Sequence, residues 1–169
     1  KTTPAKVRRK IGLSFKDFVA DIFGAGVSID NLLRVYNHDY HKLPLAPLFP
    51  NVKYVLESLQ HAGIQVAIVT NKSRYSLELE LEQHSLAKFI DSIWVADEYS
   101  AKPSPVMLRH AMLAHQAAPQ EVWMVGDALP DMYAGYNAQC ARIILVEEQP
   151  VPNWIENVTV IDDIQLILK

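Results

Sequence analysis

After Pro50 the sequence repeats one physical pattern, in which a short apolar run gives way to a stretch with helical spacing and then to another short apolar run. The runs occupy residues 66–69, 93–95, 122–125 and 143–146, with a weaker one at 158–161. Each is too short for a helix and too uniformly apolar for a strand with one face in water, so each reads as a buried strand. Strands of that kind, alternating with helices, predict an α/β fold: a Rossmann-like parallel sheet with helices on both faces. Val52, Val55, Leu56 and Leu59 keep the i, i+3, i+4, i+7 spacing of a helix that should stop at Gly63. The segment Ser76-Leu77-Glu78-Leu79-Glu80-Leu81-Glu82 alternates with period two, as a strand would. Leu and Glu are nonetheless strong helix formers, neither is β-branched, and Ser73 can cap the start. The segment is therefore read as a helix with Tyr75, Leu79, Glu82 and Leu86 on one face.

The first 43 residues read differently. Thr3-Pro4, Ser14 and Ser28 each place a cap or an N1 proline before helix-forming sequence, and Gly12, Gly24 and Gly26 sit at the breaks, which predicts three short helices. Pro44, Pro47 and Pro50 then mark a stiff connection. The expected organisation is a small N-terminal α-helical cap over residues 1–45 and an α/β core over 46–169.

With 169 residues, half of them apolar, the chain can bury a core. A net charge of -3 without long charged runs argues against nucleic acid or a membrane surface as partner, and the expected partner is a small molecule. No apolar run approaches the ~20 residues that span a bilayer. Cys140 is the sole cysteine and can form no internal disulfide, which suits a reducing, cytoplasmic setting. It reads as a small packed residue, Trp123 as core, the Lys6-Val7-Arg8-Arg9-Lys10 stretch as a solvated face, and His38 and His41 as solvent-facing.

Ligands of open parallel sheets collect at the carboxyl ends of the strands. Three such places carry chemistry. Thr70-Asn71-Lys72 offers a hydroxyl, an amide and an ammonium for phosphate oxygens, or a plain helix cap. Lys102, in Ala101-Lys102-Pro103-Ser104-Pro105, offers a cation on a rigid turn, or a solvated surface lysine. Gly126-Asp127-Ala128-Leu129-Pro130-Asp131 places two carboxylates where they could converge on a hard divalent cation, or cap the helix that follows.

Taken together, strand-Thr-Asn-Lys, then Lys-Pro-Ser-Pro, then strand-Gly-Asp-x-x-x-Asp resembles the second, third and fourth motifs of the haloacid dehalogenase-like hydrolases. Leu48-Phe49-Pro50-Asn51-Val52 is similar to the segment by which phosphoglycolate phosphatase-like members re-enter the core, and residues 6–13 are similar to their cap. The resemblance implies a phosphatase acting on a small phosphorylated metabolite through an aspartyl-phosphate, with Mg2+ as cofactor. It implies catalytic roles for Thr70 and Lys102, phosphate or substrate binding by Thr70, Asn71, Lys72 and Lys102, and metal binding by Asp127 and Asp131, the latter directly, through water, or by orienting Lys102. Alternatives within reach are a β-phosphoglucomutase-like phosphotransferase and a non-catalytic binding module.

The family's first motif, a strand ending in Asp-x-Asp that supplies the nucleophile, has no counterpart in the sequence. Asp30, Asp91 and Asp97 are read as lacking an apolar strand before them, and Asp162-Asp163 follows only a weak one. In the family's sheet that first strand is central, between the strands ending at Thr70 and Val125. The expectation is a core without its first strand, poorly stable and inactive alone, for which a missing N-terminal segment or a homo-oligomer partner completes the sheet.

Overall fold

The computed structural model describes residues 13–24, 26–40, 42, 44, 46–146 and 150–169. The helix expected after Thr3-Pro4, the basic stretch from Lys6 to Lys10, Gly12 and His41 lie outside the described residues.

The serine caps act as expected. Ser14 Oγ accepts from the Asp17 amide at 3.1 Å and donates to Asp17 Oδ2 at 2.6 Å, starting helix α1 (Phe15–Phe23). Ser28 Oγ accepts from Asn31 N at 3.4 Å at the head of α2 (Ile29–Tyr40). Rings of Phe15, Tyr36 and Tyr40 follow one another at 5.1 Å between centroids, sewing α1 to α2. Helix α3 (Val52–His61) ends where its spacing predicts. Gly63 takes φ 71°, a left-handed conformation that glycine adopts without steric cost, and the Ile64 amide returns to Leu59 O at 2.9 Å.

From there the elements alternate: β1 (Ala67–Thr70), α4 (Arg74–Gln83), β2 (Ser92–Val95), α5 (Val106–Ala114), β3 (Trp123–Gly126), α6 (Leu129–Asn137), β4 (Arg142–Val146) and β5 (Val158–Ile161), closed by a 3-10 turn over Ile164–Leu168. Every strand pairing is parallel. The fold is α/β with helices on both faces of the sheet. Ile68, Ile93 and Val95 pack beneath α4, while Val69 turns to the opposite face, against Leu108 and Met112 of α5. On β4, Ile143 and Leu145 meet Met132 of α6, and Ile144 and Val146 meet Ile164 and Ile167. That strict alternation is the two-residue period of a strand buried on both sides.

The sheet is not continuous. One part pairs β1 with β2, the other runs β3-β4-β5, and among the described residues no ladder joins β1 to β3. Both parts lie against the same cluster of Leu108, Met112, Met124 and Ala134, with Val69 reaching it from β1. The two inner strands therefore each keep one side of their backbone outside the ladder.

Helix α4 forms as expected, with Tyr75, Leu79 and Glu82 at i, i+4, i+7 along it, and its buried residues are Ser76, Leu77 and Leu81. Leu77 and Leu81 form the i, i+4 pair that meets Val95. Two expectations are corrected. Leu86 lies beyond the helix end, past Ser85 at φ 57°, so it shares no helical face with Tyr75. Trp123 is 46% exposed, not core, because β3 is an outer strand of its part of the sheet; Arg142 covers its ring at 4.8 Å. Cys140 is buried, as expected, and burial pushes its thiol up to about 11.

Amide hydrogen exchange should grade the strands by pairing. We expect the slowest amides on β4, paired on both sides, and faster exchange on β1 and β3. Uniform protection across the five strands would show that β1 and β3 are paired in solution.

Candidate active site

The carboxyl ends of β1 and β3 are linked by one side chain. Lys102 Nζ donates to the carbonyl of Val69 on β1 at 2.7 Å and to Oδ1 of Asp131 on α6 at 2.5 Å. The lysine and aspartate side chains are only 10% and 8% exposed, so the ion pair is desolvated and depends on these bonds for compensation. Asp131 is fully engaged: its Oδ2 accepts from the amides of Ala128 at 3.0 Å and Asp127 at 3.2 Å, closing the first turn of α6.

Gly126 makes this possible. A β-carbon there would lie 2.4 Å from Asp131 Cβ and Cγ, a collision no side-chain rotation at position 126 removes.

A second bond fixes the Lys102 backbone. Asn71 Oδ1 accepts from Lys102 N at 2.8 Å and Asn71 Nδ2 donates to Lys102 O at 3.1 Å, a two-point clamp between the loop after β1 and the loop before α5. The Asn71 amide thus has a positioning role in addition to any contact with substrate. Thr70 Oγ1 accepts from Lys72 N at 3.2 Å, so the hydroxyl proton can still be donated to an anion.

Asn71, Lys102 and Asp131 are therefore joined by bonds, with Thr70 next to Asn71 in the chain and the Asp127 amide on Asp131. Lys72 departs from the group. Its ammonium pairs with Glu80 on α4, which sequence reasoning had not singled out. The eight-residue separation was the available signal, and it becomes readable only once α4 is known to start directly after the loop.

The other aspartates have structural duties. Asp91 accepts from Val66 N at 2.7 Å, and Asp97 accepts from Arg74 N at 3.1 Å at the start of α4. The reading that Asp97 has no strand before it is corrected, since β2 ends two residues earlier at Val95. Asp163 takes bonds from Gln165 N and Asn51 Nδ2, which hold its carboxyl below the usual range. It borders a cavity of about 110 Å³ with Phe49 and Val146, smaller than the roughly 300–1,000 Å³ of small-molecule sites. His38 is exposed.

Residues 1–145 match the model of the haloacid dehalogenase-like hydrolases. The chain belongs to that family. Among hydrolases with curated names, it is 42% identical to a phosphoglycolate phosphatase of Vibrio parahaemolyticus over 57% of this chain and 43% of that protein. It is 35% identical to the pyrophosphatase PpaX of Bacillus thuringiensis over 62% and 49%. The chain spans about half the length of the curated relatives it matches. A haloacid dehalogenase-like hydrolase from Bacteroides fragilis shares the fold at TM-score 0.84 and 20% identity, over 98% of this chain and 83% of that one.

The Lys102–Asp131 pair can be tested in this chain by a double-mutant cycle in denaturant. Lys102→Met and Asp131→Asn should each cost up to about 3–5 kcal/mol, because each strands a desolvated partner. The double variant should cost less than the sum. Additive losses would show that the two charges are independent.

Proposed function

We propose that the chain carries the phosphate-binding and metal-binding part of a phosphoric monoester hydrolase that acts on a small, phosphoglycolate-like metabolite through an aspartyl-phosphate intermediate. The observation that carries this is the Lys102 ammonium, held between Val69 O and Asp131 beside Thr70 at the carboxyl end of the sheet. An ammonium has three donors, and the third can serve a phosphoryl oxygen. Thr70 can donate to another. Residues 46–169 act as the core and residues 1–45 as a cap over it, and we place the enzyme in the cytoplasm on the strength of its single cysteine.

The donor set suits magnesium, a hard ion that takes one or two carboxylates and fills its octahedron with water and substrate oxygens. Asp127 would hold it directly. Asp131, committed to Lys102 and two amides, would hold it through water or act by orienting the lysine. Water and substrate oxygens would fill further positions around the ion. When bound, the ion supplies positive charge to the phosphoryl group in the transition state.

The protein's own residues do the rest. Lys102 and Thr70 orient the phosphoryl group for in-line displacement, and Asn71 keeps Lys102 in register. We assign the nucleophile to a carboxylate on a strand that pairs between β1 and β3, from an N-terminal segment or from a second copy. The unjoined inner strands support this assignment. A pyrophosphatase shares the same site requirements and is favoured by the Bacillus relative.

The test is release of phosphate from 2-phosphoglycolate, p-nitrophenyl phosphate and pyrophosphate, with magnesium or with chelator. It is made on the protein expressed from its complete reading frame and on the 169-residue chain. We expect magnesium-dependent turnover of a phosphomonoester by the former and negligible turnover by the latter. Full activity of the 169 residues would overturn the assignment of the nucleophile, and inactivity of both would overturn the phosphatase reading.

A further inference from the structure

The group that leaves the site, Lys72, points to a control that the proposed reaction does not need for its chemistry. The backbone around it is fixed by Thr70 Oγ1 and by the Asn71 clamp, yet its side chain is 43% exposed. A half-exposed lysine ordinarily samples many rotamers. Here it is pinned, because Glu80 Oε2 accepts from its Nζ.

Glu80 is itself well covered, at 16% side-chain exposure, and does not hold the lysine alone. Its other oxygen, Oε1, accepts from the hydroxyl of Tyr40, the last residue of α2. Burial and the neighbouring Glu80 push the Tyr40 phenol up, so it stays a protonated donor throughout the physiological range. A second polar tie runs parallel: Ser73 Oγ donates to Asn37 Oδ1 at 3.2 Å and lies 3.0 Å from Ser76 Oγ, with Ser73 and Ser76 both buried. Helix α2 is thus anchored on the helix that begins directly after Lys72, through the carboxylate that fixes the Lys72 ammonium.

We propose that Glu80 is the positioning residue for Lys72, and that through Tyr40 it lets the N-terminal helices set the site's preference for substrates bearing a second anionic group. The inference rests on the phosphatase reading. Lys72 uses one donor on Glu80 and keeps two. Two residues beyond Thr70, it suits a carboxylate or second phosphate attached to the ester, lying at the seam between the helices and the sheet. Withdrawal of α2 removes the phenol from Glu80 and frees the lysine, so binding at this seam and docking of α2 favour each other.

The experiment compares 2-phosphoglycolate with ethyl phosphate, which lacks the carboxylate, in the protein from its complete reading frame. In K72M and E80Q the ratio of kcat/KM for the two esters should fall by about tenfold or more, as loss of a charge-assisted contact implies, through KM for phosphoglycolate. Y40F should lower it by a smaller factor, and E80D should restore part of it. A purely structural role would lower both esters equally and leave the ratio unchanged in E80Q, which overturns the proposal. Hydrogen exchange over α2 forms a second arm that needs no turnover. Exchange should rise in E80Q, Y40F and K72M alike, and an α2 unaffected by K72M overturns the coupling. If the wild-type protein hydrolyses neither ester, the phosphatase reading fails, and the exchange arm still decides whether Lys72 and α2 are linked.

Discussion

The contact on which the site depends is a lysine ammonium used as a bridge between two pieces of sheet. Lys102 joins Val69 on β1 to Asp131 on α6, and among the described residues no backbone ladder joins the two parts of the sheet there. Taking both charges out of water is costly, and their attraction offsets that cost only where the leftover lone pairs and protons find partners. Here they do: Asp131 has two backbone amides on its other oxygen, and Lys102 has a carbonyl. Asn71 then fixes the lysine's own peptide, so the ammonium approaches from one direction. The arrangement tolerates no side chain at position 126, where even a methyl group would occupy the space of the Asp131 carboxyl. Glycine at this position follows from packing, independent of any ligand.

Burial follows the same division. Ile143, Ile144, Leu145 and Val146 of β4 are all buried, because that strand has a neighbour on each side and a layer on each face. In β1 no residue is fully buried, and Ala67 is exposed. A parallel strand normally belongs in the interior, where both faces and both edges are covered. Strands whose edges remain unpaired are templates for another strand. One apolar cluster nonetheless spans the division, with Val69 packed against Leu108, Met112 and Met124. The helices therefore hold the pieces together, and backbone pairing between β1 and β3 contributes nothing to it in this structure.

Much of this was legible in the sequence because it rests on local rules. Ser14, Ser28, Ser73 and Gly63 mark helix ends by hydrogen bonds that span only a few residues, and the apolar runs mark strands by burial alone. The meeting of Lys102 with Asp131 was legible for a different reason: in a parallel sheet, residues that follow strands share one edge. What escaped was whatever depends on direction in space. The Leu-Glu alternation does not reveal which side of α4 faces β2, and burial of Trp123 depends on whether β3 has a neighbour beyond it. Glu80 was invisible because its partners, Tyr40 and Lys72, lie 40 and 8 residues away and meet it only after α2 docks.

The charges of the described side chains bear on the magnesium proposed for the site. Lys102 is paired with Asp131 and Lys72 with Glu80, so each ammonium is offset by a carboxylate within its own pair. A phosphate dianion placed beside these two pairs would gain little net attraction from them. Hydrogen bonds from Thr70 and the lysines can orient the anion without changing that balance. A divalent cation beside Asp127, as proposed for this site, would add net positive charge, which is the physical argument for proposing magnesium there.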